Sequence, residues 1–265
     1  MLLNSVVIIL REVLEAALLM SVFLASARFL QTRNSWAISA LVAGAIGAAT
    51  YGFFLEPVSD LFDGVGQEVC NAILQYGAFA SLAAVAFHIP RRANNLKSSP
   101  ATIVALMALT VTLAITREGA EILVYVSGFW NVSDFFSAVA LGSVIGACIG
   151  FSVGVLIYYL LLAQPIKWAL PTSVLLIHLI AAGMASQATR LLIQADWIPA
   201  AGPMWDTSSI LSEQSLTGQL LYALVGYEAS PSGIEVVAYV GSVLIVATAY
   251  FAGKFSSQPA RDEME

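Results

Sequence analysis

Runs of apolar residues dominate the chain, and seven of them are long enough to cross a hydrocarbon layer of roughly 30 Å, which takes about 20 helical residues. They fall near 3–27, 36–55, 69–89, 101–127, 137–163, 172–194 and 235–253. The pattern predicts an all-α, polytopic membrane protein with seven transmembrane helices. A single transmembrane domain covers 1–253, and a short tail covers 254–265. The stretch from Trp197 to Gly233 is too long for a plain loop, and inside it Leu216–Val225 is apolar yet too short to span. That segment lies in the interface or re-enters the membrane, with Trp197 and Trp205 suited to headgroup level. It reads either as an outer lid over a path through the protein or as an ordinary amphipathic surface helix.

Two of the apolar runs are broken by charge. The first contains Arg11-Glu12-Val13-Leu14-Glu15 and the fourth Arg117-Glu118-Gly119-Ala120-Glu121. An ionised side chain at the centre of a membrane helix costs about 2.5–3.5 kcal/mol, so six left unpaired would cost on the order of 15–20 kcal/mol. These residues therefore face a polar interior or an ion. Ala25-Ser26-Ala27 looks like a signal-peptide cleavage site, but no basic residue precedes Arg11 and three charges interrupt the apolar centre, so the first run reads as a retained helix.

Composition agrees with a membrane location: 59% of residues are apolar, 11% are charged and the mean hydropathy is +0.84. The basic residues between spans sort to one side, with Arg28 and Arg33, then Arg91, Arg92 and Lys97, then Lys167, then Lys254 and Arg261. The alternate loops carry Glu56, Asp60 and Asp63, then Asp134, then Asp196, Asp206, Glu213 and Glu228, with Glu68 and Glu235 at neighbouring helix starts. Because Lys and Arg collect on the cytoplasmic side, the N-terminus is expected outside and the C-terminus inside. The acidic outer face either concentrates cations by its field or merely keeps the loops soluble. The formal net charge of −6 averages these two faces and adds nothing further.

The chain also repeats. Arg-Glu-x-x-Glu stands in spans one and four, and small-residue ladders stand in spans two and five: Ala40, Gly44 and Ala48, then Gly142, Gly146, Gly150 and Gly154. Such ladders let helix backbones approach closely in a bilayer. Span one runs inward and span four outward, so the arrangement predicts a 3+3 inverted repeat plus one helix, with the site at the repeat interface near the midplane. Within each motif Arg11 can pair with Glu15 and Arg117 with Glu121, each at i,i+4. Four Glu against two Arg leave two negative charges over, which a divalent or trivalent cation would neutralise; salt bridges that only lock helices leave that surplus unexplained. Carboxylates are hard ligands that favour Mg, Ca, Mn or oxidised iron. Cys70 and Cys148 lie inside spans with no metal-site spacing, and His88 and His178 read as structural histidines. Arg190 reads as a carboxylate partner or a snorkelling side chain.

At these residues the chain resembles the oxidase-dependent iron transporter family, the fungal high-affinity iron permeases and their bacterial ferrous-iron-uptake relatives. Members are similar in having seven helices, an outside N-terminus and Arg-Glu-Gly-Leu-Glu motifs in helices one and four. Trp205-Asp206-Thr207-Ser208-Ser209 and Gly226-Tyr227-Glu228-Ala229-Ser230-Pro231-Ser232 look like family landmarks, and the resemblance covers nearly the whole chain. It implies an iron permease and not an enzyme, with Glu12, Glu15, Glu118, Glu121 and Glu68 as metal-binding residues. Arg11, Arg117, Asn71 and Asp206 support them. Iron, ferric or ferrous, is the cargo, with no permanent cofactor. The implied partners are the lipid bilayer and an extracytoplasmic oxidase or iron-binding protein, without nucleic acid, and the natural location is a bacterial inner membrane. One position departs: the family shows Glu-x-x-Glu at the start of helix three, whereas here Glu68 is followed by Asn71, which offers an oxygen without a charge. Glu56, Asp60 or Asp63 are the candidates to compensate. The alternatives are a transporter of another metal such as lead or manganese, and a membrane di-iron oxidoreductase, which normally adds Glu-x-x-His motifs that are missing here.

Overall fold

The computed structural model describes residues 1–93 and 99–256. Lys97, Arg261 and the side chain of Asp134, all used in the charge partition, lie outside the described residues, as does the tail beyond Ser256. The described chain is helical apart from its loops and one isolated backbone bridge between Pro203 and Ser232. In order the elements are α1 (Leu2–Phe29), α2 (Ser35–Phe53), α3 (Leu55–Ser59), a 3-10 turn at Leu61–Gly64, α4 (Gly66–Ala93) and α5 (Pro100–Ser127). Then come α6 (Ser133–Ala163), α7 (Ile166–Gln194), α8 (Leu216–Val225) and α9 (Gly233–Phe255).

Among the described residues six helices, α2, α4, α5, α6, α7 and α9, are long and apolar enough to cross a membrane. The first expected span, α1, matches them in length at 28 residues but carries Arg11, Glu12 and Glu15 in its first half. Helix starts follow local chemistry. Ser99 caps α5 by accepting the Ala101 N–H, with Pro100 in the first turn, where its missing N–H costs nothing. Ser232 and Glu235 form a reciprocal capping box on α9. Helix α7 starts six residues before the expected 172, because the Trp168 and Ala169 N–H groups donate to Pro165 O at 2.8 and 3.1 Å and set the first turn there. Pro171 is then carried inside the helix, where it has no N–H to donate to the carbonyl of residue 167.

The two small-residue ladders pack on the two motif helices, crosswise. Helix α6 lies along α1: a Cβ added at Gly142 would meet Leu2 O at 2.6 Å, at Gly146 Val6 O at 2.5 Å, and at Gly150 Leu10 O at 3.0 Å. Helix α2 lies along α5, with Gly44 against the Ile115 side chain and Gly119 against the Ala48 methyl, whereas the α6–α1 contacts are to backbone. Backbone-to-backbone contact of this kind is what small residues permit in a membrane. Between these pairs α4 packs on α7, and α9 closes against both.

The interior has two levels. Leu19, Val22 and Phe23 of α1, Leu82 and Val85 of α4, Ile103, Met107 and Val111 of α5 and Ile177 of α7 form one dry apolar cluster. In α1, α4 and α5 most of the cluster lies in the half away from the motif residues, so the charged residues sit against an apolar layer.

Candidate metal site

Helices α1 and α5 face their motifs toward each other. Carboxylate oxygens of Glu12, Glu118 and Glu121 lie within 4.8 Å of one another, a spacing compatible with one metal ion. Glu12 is 3% exposed, Glu118 2% and Arg117 4%. Arg117 is the hub: its Nη1 lies 2.7 Å from Glu118, its Nη2 2.9 Å from Glu121, and Nη1 also reaches 3.6 Å across to Glu15 on the other helix. Arg11 is held more loosely, with Nε 3.4 Å from Glu12 and 3.5 Å from Glu15. Both i,i+4 pairs anticipated from the motif spacing are therefore present, and one cross-helix bridge is added.

The pairing leaves oxygen atoms over. Glu12 Oε2 and Glu118 Oε2 take part in none of these pairs and are buried without a hydrogen-bond partner. A buried carboxylate oxygen left this way is costly, and a cation in the cluster would satisfy it. The donor set is entirely carboxylate, which suits a hard or borderline cation.

Two cavities flank the cluster. One of about 380 Å³ is lined by Glu68, Asn71 and Glu121 together with Gln67, Tyr125 and Gln194. Asn71 Nδ2 donates to Glu121 Oε1 at 3.3 Å, while Glu68 Oε2 and Asn71 Oδ1 are buried and unpartnered. Glu68 and Asn71 thus reach the cluster through this polar chamber. The second cavity, about 370 Å³, is lined by Glu12 and Glu118 and by a mostly apolar wall that includes Leu41, Ile115, Phe151 and Val155.

Asp206 is not brought to the cluster. It lies exposed in the loop between α7 and α8, where the Ser208 hydroxyl and N–H hold its carboxyl below the ordinary value. Glu228 and Glu235, expected on the open acidic face, are instead buried around Arg190, which reaches Glu228 at 3.7 Å and Glu235 at 3.3 Å. Glu235 Oε2 is also occupied by the Ser232 N–H of the α9 cap. Burial pushes the Glu228 carboxyl up to about 7, against the pull of Arg190. Tyr222 of α8, which has no motif around it to mark it, lies over Arg11 with 4.7 Å from guanidinium to ring centroid. Gln75 and Gln187 pair side chain to side chain across α4 and α7.

A buried carboxylate cluster with two compensating arginines, set in a bundle of long apolar helices, belongs to a polytopic membrane protein that keeps charge in its interior. Residues 2–258 match the Iron permease FTR1 family, and the chain belongs to that family. It is a multi-pass membrane protein of iron transport, a permease and not an enzyme. Among its relatives is the ferrous iron permease EfeU of Yersinia pestis, 33% identical over 256 aligned positions covering 88% of this chain and 87% of that protein. EfeU of Yersinia pseudotuberculosis is 33% identical with 88% and 86% covered, and EfeU of Escherichia coli O6:H1 is 30% identical with 88% and 89% covered. No solved structure matches the chain significantly.

Proposed function

We propose that the chain imports ferrous iron across a bacterial inner membrane through the Glu12–Glu15–Glu118–Glu121 cluster. The observation that carries this reading is the convergence of three carboxylates from two helices within 4.8 Å, with buried oxygens left unpartnered. Four Glu and two Arg leave a formal surplus of two negative charges (−4 + 2 = −2), which one divalent ion balances. Without cargo, Arg117 occupies the centre and holds Glu15, Glu118 and Glu121 together. Loading moves carboxylate oxygens from Arg117 to the ion, so Arg117 acts as an internal stand-in that keeps the empty site folded. The ferrous state rests on the likeness to the ferrous iron permeases EfeU.

The path begins at Glu68 and Asn71 in the polar chamber, continues through Glu121, and ends in this structure at the apolar floor of Phe23, Leu82, Met107 and Ile177. Delivery requires that floor to open, so the conformation is open on the chamber side and sealed on the other. In this reading α1 is the seventh span, the N-terminus lies outside and the permease domain covers 1–253. A 3+3 inverted repeat is supported by the packing. Exchanging α1 with α5, α2 with α6 and α4 with α7 turns the α1–α6 contact into the α5–α2 contact and the α4–α5 contact into the α7–α1 contact, all four of which are present. Helix α9 then stands outside the repeat. Iron is cargo rather than a resident cofactor, and an extracytoplasmic oxidase or iron-binding protein would deliver it at the Glu68 mouth.

Radiolabelled iron uptake into proteoliposomes tests this, with ferrous iron kept anaerobic and ferric iron chelated in a parallel series. Ferrous flux that is lost in Glu12→Gln and in Glu118→Gln supports the reading; normal flux in both variants at equal incorporation rules the cluster out. A manganese or lead competitor added to the same assay measures how far the hard donor set discriminates among cations.

A further inference from the structure

The two arginines of the repeat are held in different ways. Arg117 makes close ion pairs to carboxylates at 2.7 and 2.9 Å, whereas Arg11 stays at 3.4 and 3.5 Å from its own and its buried Nε has no hydrogen-bond partner. The guanidinium of Arg11 lies instead over the face of Tyr222 on α8, an element outside the repeat. A cation over an aromatic face within about 6 Å is attracted by the ring quadrupole, more strongly when desolvated, and Tyr222 is buried. On the other side, Glu12 Oε2 has neither an ion pair nor a hydrogen bond, and Glu15 Oε1 is engaged only by the long 3.5 Å contact to Arg11.

We infer that Tyr222 is a positioning residue for iron binding: its ring holds Arg11 back from Glu12 and Glu15 so that their oxygens stay available to the incoming divalent cation. The inference rests on the reading that this cluster binds iron. It assigns a task to α8, which packs against α1 and α7 with Tyr222 on its buried face. Helix α8 does not need Tyr222 to stay in place. Its end is fixed by Gly226 at φ +66, whose Cα meets Gly183 so closely that a Cβ added at Gly226 would stand 2.5 Å from it. The Tyr239 hydroxyl donates to Val225 O at 2.7 Å, and Gln219 Nε2 donates to Glu213 O at 2.7 Å near the other end. With α8 anchored by these contacts, the ring of Tyr222 is free to act on Arg11. Without the ring, Arg11 closes on Glu12 and Glu15 and competes with the cargo for the same oxygens.

The test is ferrous uptake into proteoliposomes over a range of iron concentrations, so that KM and maximal rate are read separately. The variants are Tyr222→Phe, Tyr222→Leu, Arg11→Gln, the double Arg11→Gln/Tyr222→Leu, and Glu12→Gln as the control on the cluster itself. Tyr222→Leu, which keeps bulk and loses the π face, is expected to raise KM about tenfold with little change in maximal rate, while Tyr222→Phe stays within about twofold of wild type. In the Arg11→Gln background the Leu substitution is expected to add nothing, since its effect passes through Arg11. An unchanged KM in Tyr222→Leu, or the same rise with and without Arg11, overturns the proposal. Should Tyr222→Leu or Arg11→Gln give no measurable flux, stepwise fluorination of the ring in Tyr222→Phe decides: KM climbing with each fluorine supports the cation–π role, and a flat series overturns it. Glu12→Gln separates the two claims. Full flux in that variant means that the cluster reading has failed, whereas lost flux together with a silent Tyr222 series removes only the role of Tyr222.

Discussion

Arg117 on α5 reaches Glu15 on α1 at 3.6 Å while holding two carboxylates of its own helix at 2.7 and 2.9 Å. This contact joins the two motif helices at the point where their charges would otherwise repel. Removing one member of a buried ion network leaves the others uncompensated and typically costs about 3–5 kcal/mol. Arg117→Gln is therefore expected to lower the thermal unfolding temperature of the detergent-solubilised protein strongly, and added manganese or ferrous ion is expected to restore more of it than in wild type. Thermal unfolding with and without metal checks both halves. Arg117→Lys should rescue only partly, because an ammonium cannot present the guanidinium fork to several carboxylates at once.

Asn71 donates to Glu121 at 3.3 Å from a position where the resembling family carries a second Glu. Asn71→Glu exchanges that donor for a charge beside the chamber. A gain of about 1 kcal/mol in cation binding corresponds to a fall in KM of roughly fivefold. Concentration-dependent ferrous uptake measures it, and a rise in KM would show that the hydrogen bond to Glu121 matters more than the added charge.

The Gly ladder of α6 is read directly by size. A side chain at Gly146 would meet the α1 backbone at Val6 O and Leu10 N at 2.5 and 2.9 Å. Gly146→Leu is expected to abolish the monodisperse peak in size-exclusion chromatography. Gly241→Leu, at an α9 position with nothing within 4 Å, is expected to leave that peak unchanged.

Glu228 supplies a pH dependence in the loop between α8 and α9. Its folded value, about 7, lies above the ordinary 4.5, so the folded state holds the proton more tightly than the unfolded chain. Stability from this group is present below about 4.5, falls as pH rises from there to about 7, and changes little beyond. Arg190, Glu235 and Glu213 are the charged groups that set its field, burial being the larger cause. Glu228→Gln cannot lose a proton, so the difference in unfolding temperature between wild type and this variant is expected to grow in the variant's favour across that window. A pH-independent difference would count against the assignment.

The long helices and the local pairs were legible because both follow from helical periodicity. Seven apolar runs anticipate α1, α2, α4, α5, α6, α7 and α9 within a few residues, with the start of α7 displaced because Pro171 is carried inside the helix rather than ahead of it. Arg11–Glu15 and Arg117–Glu121 are one turn apart and meet as spacing requires. Partners on other helices were not legible. Nothing local tells that Gly146 packs on Val6, that Arg117 bridges to Glu15, or that Tyr222 from a segment far along the chain covers Arg11. Loop charge was misleading for the same reason. Glu228 and Glu235 look like parts of an open acidic mouth, but the fold turns them inward to Arg190.

The central claim is that iron sits between Glu12, Glu118 and Glu121. The most direct measurement is an anomalous difference map at the iron edge from crystals loaded anaerobically with ferrous iron. The account predicts a peak bounded by those three carboxylates, with Arg117 withdrawn from Glu118. A peak confined to Glu68, or an unaltered Arg117–Glu118 pair beside iron bound elsewhere, would contradict it.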